Sequence, residues 1–307
     1  MKAKIVFMGT PLFATAVLKE LIINYEVILV VCQPDKLVGR KKILTACPTK
    51  ELALANNIEV FQPLKLREDF ERIISLKPDL IVTCAYGQIV PKEVLECAKY
   101  GCINVHASLL PKYRGAAPIH QALLDGETST GITIMYMDET LDTGDIISTR
   151  SILIDKEDNL ETLSNKLSIL GANLLIDTIP SILNNTNNRI KQDEKNSSYA
   201  HMIKREDEYI SFNLNGEKII NKIRGLYPNA SFKLDDLEIK ILKADFIPEK
   251  ITEPGIIKVL DKNNFGITCQ DGIIYLKEIK PSGKNKMFIK DYLNGLNKEK
   301  YINKKVD

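Results

Sequence analysis

The sequence predicts an α/β chain in which a parallel-sheet domain is followed by a small β-rich barrel or sandwich, and three observations carry the prediction. Through residue 180, apolar runs of strand length alternate with stretches at helical spacing, the pattern of strand–helix–strand crossovers on a parallel sheet. A polar run, NNTNNRIKQDEKNSS, then breaks the pattern. Beyond it come short β-rich segments separated by turn residues. These shifts divide the chain into a first domain at 1–180, a linker at 181–203 and a second domain at 204–307.

Taken in order, KIVFMG at 4–9 reads as a buried strand, GTP turns the chain, and 13–23 follows at helical spacing. The turn holds a single glycine, so the dinucleotide fingerprint GxGxxG is absent and a Rossmann cofactor is not supported. A second strand at 27–32 leads into 33–48, a long loop without periodicity, and loops of that length are commonly functional or disordered. Arg40, Lys41 and Lys42 cluster there, either as a solvated face or as a contact for a phosphate backbone. Helical patterns at 49–56 and 68–76 precede a strand at 80–84, which ends in AYGQIVP. Further strands are expected around Asn104 and at 131–137, then a long helix at 159–180. In the second half a helix at 216–224 precedes strands at 231–244, 255–260, 265–269 and 273–278.

Composition narrows the class. A chain of 307 residues, 44% hydrophobic and 27% charged, suits about two domains with a sizeable core. The net charge of +2, from 42 basic and 40 acidic residues, creates no global field toward nucleic acid or membrane, so any basic footprint must be local. Six cysteines form no CxxC pair and read as reduced, buried thiols of a cytoplasmic protein. Apolar residues begin at Ile5, which leaves no room for a signal peptide. No apolar run is expected to reach the roughly 18 to 20 residues of a membrane span, so a soluble protein is predicted.

The chemistry gathers in CINVHASLLPKYRGAAP, residues 102–118. A strand's period of two turns Asn104 and His106 to one face. A histidine on an apolar strand is commonly a hydrogen-bonded core residue, but a core seldom needs an asparagine beside it. Pro111 and Gly115 then open the strand into a loop, where Arg114 supplies a fixed cation. Tyr86, Gly87 and Gln88 follow the preceding strand in the same way, so two strand ends converge on the ligand crevice of an open α/β sheet. A flat heteroaromatic ligand would fit against the loop after Tyr86. In DETLDTGDII, Asp138, Glu139, Asp142 and Asp145 crowd one turn, where a carboxylate either orients the histidine or is simply solvated. The spacing matches no EF-hand and the chain has three histidines, so no metal is expected.

The strings GTP at 9–11, QPD at 33–35, AYG at 85–87, NVHASLLPKYRGAAPI at 104–119 and LDTGD at 141–145 resemble the methionyl-tRNA formyltransferase family, in order and over nearly the whole chain. NVH and DTGD are shared with the wider group that moves one-carbon units from 10-formyltetrahydrofolate. The resemblance implies a Rossmann-like formyltransferase domain, an OB-like C-terminal barrel that binds tRNA, and a monomeric cytoplasmic enzyme. The implied reaction carries the formyl group of 10-formyltetrahydrofolate, as co-substrate, to the α-amine of methionine on initiator tRNA, for translation initiation. Asn104, His106 and Asp142 match the family's catalytic positions. On that reading the Asn104 amide and His106 stabilise the oxyanion, while Asp142 orients His106 and helps relay the proton. Ser108, Leu109, Leu110 and Pro111 would hold the folate, with Tyr86, Gln88 and Ile89 around the pterin. Arg40, Lys41, Lys42 and Arg114 would meet the tRNA. One departure is Tyr113, where many relatives carry tryptophan; it keeps an aromatic wall. Two alternatives stand beside this reading, a formyltransferase acting on an amino-sugar nucleotide and a noncatalytic RNA-binding protein.

Overall fold

The computed structural model describes residues 2–39 and 41–306. The chain forms two compact units, the first from Met1–Pro118, Ser129–Leu153 and Ser164–Ala200, the second from Ile119–Thr128, Ile154–Leu163 and His201–Asp307.

The elements of the first stretch are β1 (Lys4–Gly9), α1 (Leu12–Asn24), β2 (Glu26–Val31), β3 (Lys36–Val38), β4 (Ile43–Thr45), α2 (Pro48–Ala55), β5 (Val60–Phe61), α3 (Glu71–Ser75), β6 (Leu80–Cys84), α4 (Lys92–Leu95), β7 (Cys102–His106) and β8 (Arg114–Gly115). After α5 (Pro118–Leu124) come β9 (Ser129–Tyr136), β10 (Ile146–Leu153), α6 (Leu160–Leu183) and β11 (Tyr199–Ala200). The main sheet runs β10-β9-β7-β6-β1-β2-β5. Its strands from β5 to β7 are parallel, whereas β9 and β10 are antiparallel, a common edge on such sheets. Ile5 to Met8, Leu80 to Val82, Ile103 and Val105 are all buried, which is why these strands read as continuous apolar runs rather than alternating ones.

Four expectations change here. The stretch 33–48 is not structureless, because β3 and β4 pair as a hairpin with Leu37, Val38, Ile43 and Leu44 exposed. Helix α6 does not stop at Pro180 but continues to Leu183, with the Asn184 amide donating to the Pro180 carbonyl at 3.1 Å. It is also long and apolar enough to cross a membrane by length and composition, contrary to the sequence reading. Its Leu167, Leu175 and Ile179 are buried within the protein, the use a core helix makes of such a composition. The polar run expected as a linker is part of the first unit as far as Ala200: Ile190 bridges Ile146, and β11 pairs in parallel with β8.

The second unit contains α7 (Gly216–Gly225), β12 (Ser231–Leu234), β13 (Leu237–Pro248), β14 (Ile257–Leu260), β15 (Phe265–Thr268), β16 (Gly272–Pro281), β17 (Met287–Phe288), α8 (Ile289–Leu293) and α9 (Lys298–Tyr301). Its strands form a curled antiparallel sheet ordered β12-β13-β16-β15-β14, with β17 added against β16. Phe232 anchors the core, edge-on to Phe212 at 5.8 Å and to Phe265 at 6.5 Å. Asp235, in the β12–β13 turn, receives Lys300, Lys304 and the Tyr301 hydroxyl. Those hydrogen bonds bring its carboxyl down to about 2.

Two outcomes follow from this packing. A Cβ at Gly131 would collide with the Arg150 carbonyl and lie 2.6 Å from Leu109 Cδ2, so Gly131→Ala should cost roughly 1–3 kcal/mol in urea unfolding. Asp235 has a depressed folded pKa, so its contribution is complete above the ordinary carboxylate pKa and is lost as pH falls toward about 2. Asp235→Asn should therefore weaken the protein at neutral pH and flatten the acid limb of its stability profile; an unchanged limb would show that these hydrogen bonds do not form.

Candidate active site

The carboxyl end of β7 places the first two groups. Asn104 pairs in register with Thr83 on β6, and the Thr83 hydroxyl meets Asn104 Oδ1 at 2.8 Å. That contact occupies the amide oxygen and leaves the amide nitrogen as a donor with no partner among the described residues. Two residues on, His106 is 5% exposed, and its Nε2 lies 2.9 Å from the Tyr113 carbonyl. A carbonyl only accepts, so Nε2 carries the proton and Nδ1 holds the lone pair of the neutral ring. Nδ1 faces Asp142 Oδ1 at 3.7 Å. In the neutral ring Nδ1 is therefore an acceptor, and it can donate only once it is protonated.

Asp142 reaches this position through a turn that chain propensity alone would not choose. Its φ is +54°, and Tyr113 and Ala85 also sit in the left-handed region, at +60° and +49°. Such backbone costs about 1–3 kcal/mol per residue and persists only where the surroundings impose it. The Gly115 amide donates to Asp142 Oδ2 at 2.8 Å, and the Gln192 side-chain amide donates to the carbonyls of Asp142 and Gly144 at 2.8 and 2.9 Å. Gly144 itself must lack a side chain, because a Cβ there would collide with the Tyr136 carbonyl.

The other sequence-predicted residues divide into groups. Tyr86 is buried, its hydroxyl has no partner among the described residues, and its carbonyl accepts from Thr10 Oγ1 and Gln33 Nε2, each at 3.2 Å. The Gln88 side chain turns away to the Leu66 amide at 2.7 Å and the Pro63 carbonyl at 3.2 Å, while Ile89 is 82% exposed. The backbone amides and carbonyls of 87–90 take no partner among the described residues, so this loop offers an edge of donors and acceptors following β6, the strand that pairs with β7. An amide-rich planar ring such as a pterin fits that chemistry. Ser108 is fully buried and donates to the Lys112 carbonyl at 2.6 Å, so its hydroxyl shapes the turn; Leu110 is also buried, and Leu109 and Pro111 are partly covered. Burial pushes the Cys32 thiol up to about 12 and the Cys84 and Cys102 thiols further still, which makes them inert packing groups.

Arg114 departs from its expected role. It is fully buried, with its guanidinium on Gln192 Oε1 and on both Glu194 oxygens at 2.8 to 3.0 Å, so it is not available to a tRNA phosphate. Its hydrogen bonds hold the Glu194 carboxyl below the usual range. Lys41 and Lys42 are exposed at the tip of the β3–β4 hairpin; Arg40 lies outside the described residues. Sequence reading missed Thr83, Gln192 and the Gly115 amide, since side-chain contacts across 20 to 50 positions leave no periodic trace.

Residues 3–179 match the family described as Formyl transferase, and residues 202–297 match Formyl transferase, C-terminal domain. A protein from Staphylococcus epidermidis named methionyl-tRNA formyltransferase is 50% identical over 299 residues, 96% of each chain. One of that name from Staphylococcus aureus is 48% identical over 298 residues, 95% of this chain and 96% of its own. In fold, the chain is similar to an N-formyltransferase from Helicobacter canadensis solved with folinic acid and dTDP-3-aminofucose, at a TM-score of 0.67 and 23% identity, covering 90% of this chain and 99% of that one. With Asn104 and His106 two residues apart on β7, Asp142 Oδ1 3.7 Å from the imidazole, and relatives about 50% identical over some 96% of its length, the chain belongs to the methionyl-tRNA formyltransferase family of formyl transferases.

Proposed function

We propose that this protein transfers the formyl group of 10-formyltetrahydrofolate to the α-amine of methionine on initiator tRNA, with Asn104, His106 and Asp142 as its catalytic residues. The observation that carries the reading is an Asn104 amide nitrogen with no partner among the described residues, two positions along β7 from an imidazole whose Nδ1, in the neutral ring, is an acceptor. As a neutral amine attacks the formyl carbon, negative charge grows on the formyl oxygen and positive charge on the amine nitrogen. The Asn104 amide donates to the first. His106 Nδ1 takes the proton from the second, and the Asp142 carboxylate 3.7 Å away stabilises the imidazolium so formed. Once protonated, Nδ1 becomes a donor, able to support the oxyanion and then to return its proton to the departing nitrogen of the donor. One proton is borrowed and one is given back, so no side-chain nucleophile is needed.

The pterin lies along the free backbone of 87–90, with Ser108, Leu109, Leu110 and Pro111 as the facing wall. The tRNA meets the hairpin tip, where Lys41 and Lys42 take up phosphate charge; Arg40, and separately the C-terminal domain, are further tRNA contacts in this reading. A monomeric state and a cytoplasmic site of action complete the reading. An amino-sugar nucleotide as acceptor is the second reading, supported by the fold shared with the Helicobacter canadensis protein.

Purified protein with 10-formyltetrahydrofolate should formylate methionylated initiator tRNA far faster than elongator tRNA or a dTDP-amino sugar; a preference for the sugar would overturn the acceptor. His106→Ala and Asn104→Ala should each lower kcat by roughly 10²- to 10⁴-fold while tRNA still binds. Bound tRNA with undiminished turnover would remove them from the mechanism. Lys41→Ala with Lys42→Ala should weaken tRNA binding and reduce its log–log salt slope by about 2, one for each phosphate no longer neutralised.

A further inference from the structure

We propose that Gln192 is a positioning residue that holds Asp142 against His106, so that the polar run 184–198 serves as a strap over the active site. The inference rests on the roles given above to Asp142 and His106.

The Gln192 side chain has only one chemically permitted orientation. Its Nε2 donates to the Asp142 carbonyl at 2.8 Å and the Gly144 carbonyl at 2.9 Å, while Oε1 accepts from Arg114 Nε at 3.0 Å and Nη2 at 2.9 Å. Reversing the amide would set oxygen against two carbonyls and nitrogen against a guanidinium. Every hydrogen-bonding direction of the group is used, which is uncommon for a half-buried glutamine on a segment otherwise lined with solvated residues.

The hydrogen bonds close a ring around the carboxylate. Gln192 grips the backbone of 142–144 on one side and Arg114 on the other; the next residue after Arg114, Gly115, donates its amide to Asp142 Oδ2 at 2.8 Å. Arg114 is in turn fixed by Glu194 and by its own amide on the Ser198 carbonyl at 2.8 Å. The Tyr113 amide donates to Ser198 Oγ at 3.0 Å, and the Tyr113 carbonyl accepts the hydrogen bond from His106 Nε2. The strap thus touches both the loop that orients the imidazole and the turn that presents the carboxylate. Asp142 is held in left-handed backbone, at φ +54°, and without the two hydrogen bonds from Gln192 that peptide is free to relax and swing the carboxylate away from Nδ1.

The test compares Gln192→Ala and the equally long Gln192→Met in full-length protein, alone and combined with Asp142→Asn. Each single variant should lose roughly 10- to 100-fold in kcat with either KM little changed. In the Asp142→Asn background the same changes should cost no further kcat. An equal loss in both backgrounds, or a change confined to KM, would overturn the proposal. Amide hydrogen exchange at Gly115 reads the same linkage without turnover: it should quicken in Gln192→Met, and exchange as slow as in the unaltered protein would overturn it. A wild-type protein that formylates nothing would instead refute the proposed function, and the exchange measurement would still decide the role of Gln192.

Discussion

The hydrogen bond from His106 Nε2 to the Tyr113 carbonyl is the interaction on which the site depends. By fixing where the ring keeps its proton, it makes Nδ1 the basic atom and points that atom at Asp142. A ring of the opposite tautomer would face the carboxylate as a donor and would have nothing with which to take a proton from an attacking amine. Strand β7 supplies the direction of the side chain, but the 107–115 loop supplies its chemistry.

That loop is held by means the strands do not provide. Tyr113 and Asp142 both occupy left-handed backbone, and each is restrained by partners distant in the chain: Ser198 for the first, Gly115 and Gln192 for the second. Strain concentrated in this way is characteristic of sites whose groups must be ready before substrate arrives. The sheet beneath is conventional in comparison, with parallel strands buried on both faces and Asn104 and His106 at the carboxyl end of β7, where an open α/β sheet presents its crevice.

Much of this is legible in the residues. Buried parallel strands advertise themselves as continuous apolar runs, and the period of two by itself puts Asn104 and His106 on one face. The antiparallel edge, the β3–β4 hairpin and the extension of α6 past Pro180 are not legible, since short exposed strands and a helix's last turn carry weak local signals. The largest misreading concerns polarity. Arg114 looks like a free cation and 184–198 like a connector, because composition reports what a residue could pair with in water and says nothing of a partner 80 positions away. A buried arginine answered by a glutamine and a glutamate is invisible until the chain is folded.

The most direct measurement is ¹⁵N NMR of the His106 side chain, assigned by its loss in His106→Gln and read at a pH where the ring is neutral. The account predicts the proton on Nε2, slow to exchange because the Tyr113 carbonyl holds it, and a lone pair on Nδ1. A neutral ring protonated on Nδ1 would contradict it, since the atom facing Asp142 would then be unable to accept the proton the reaction must move.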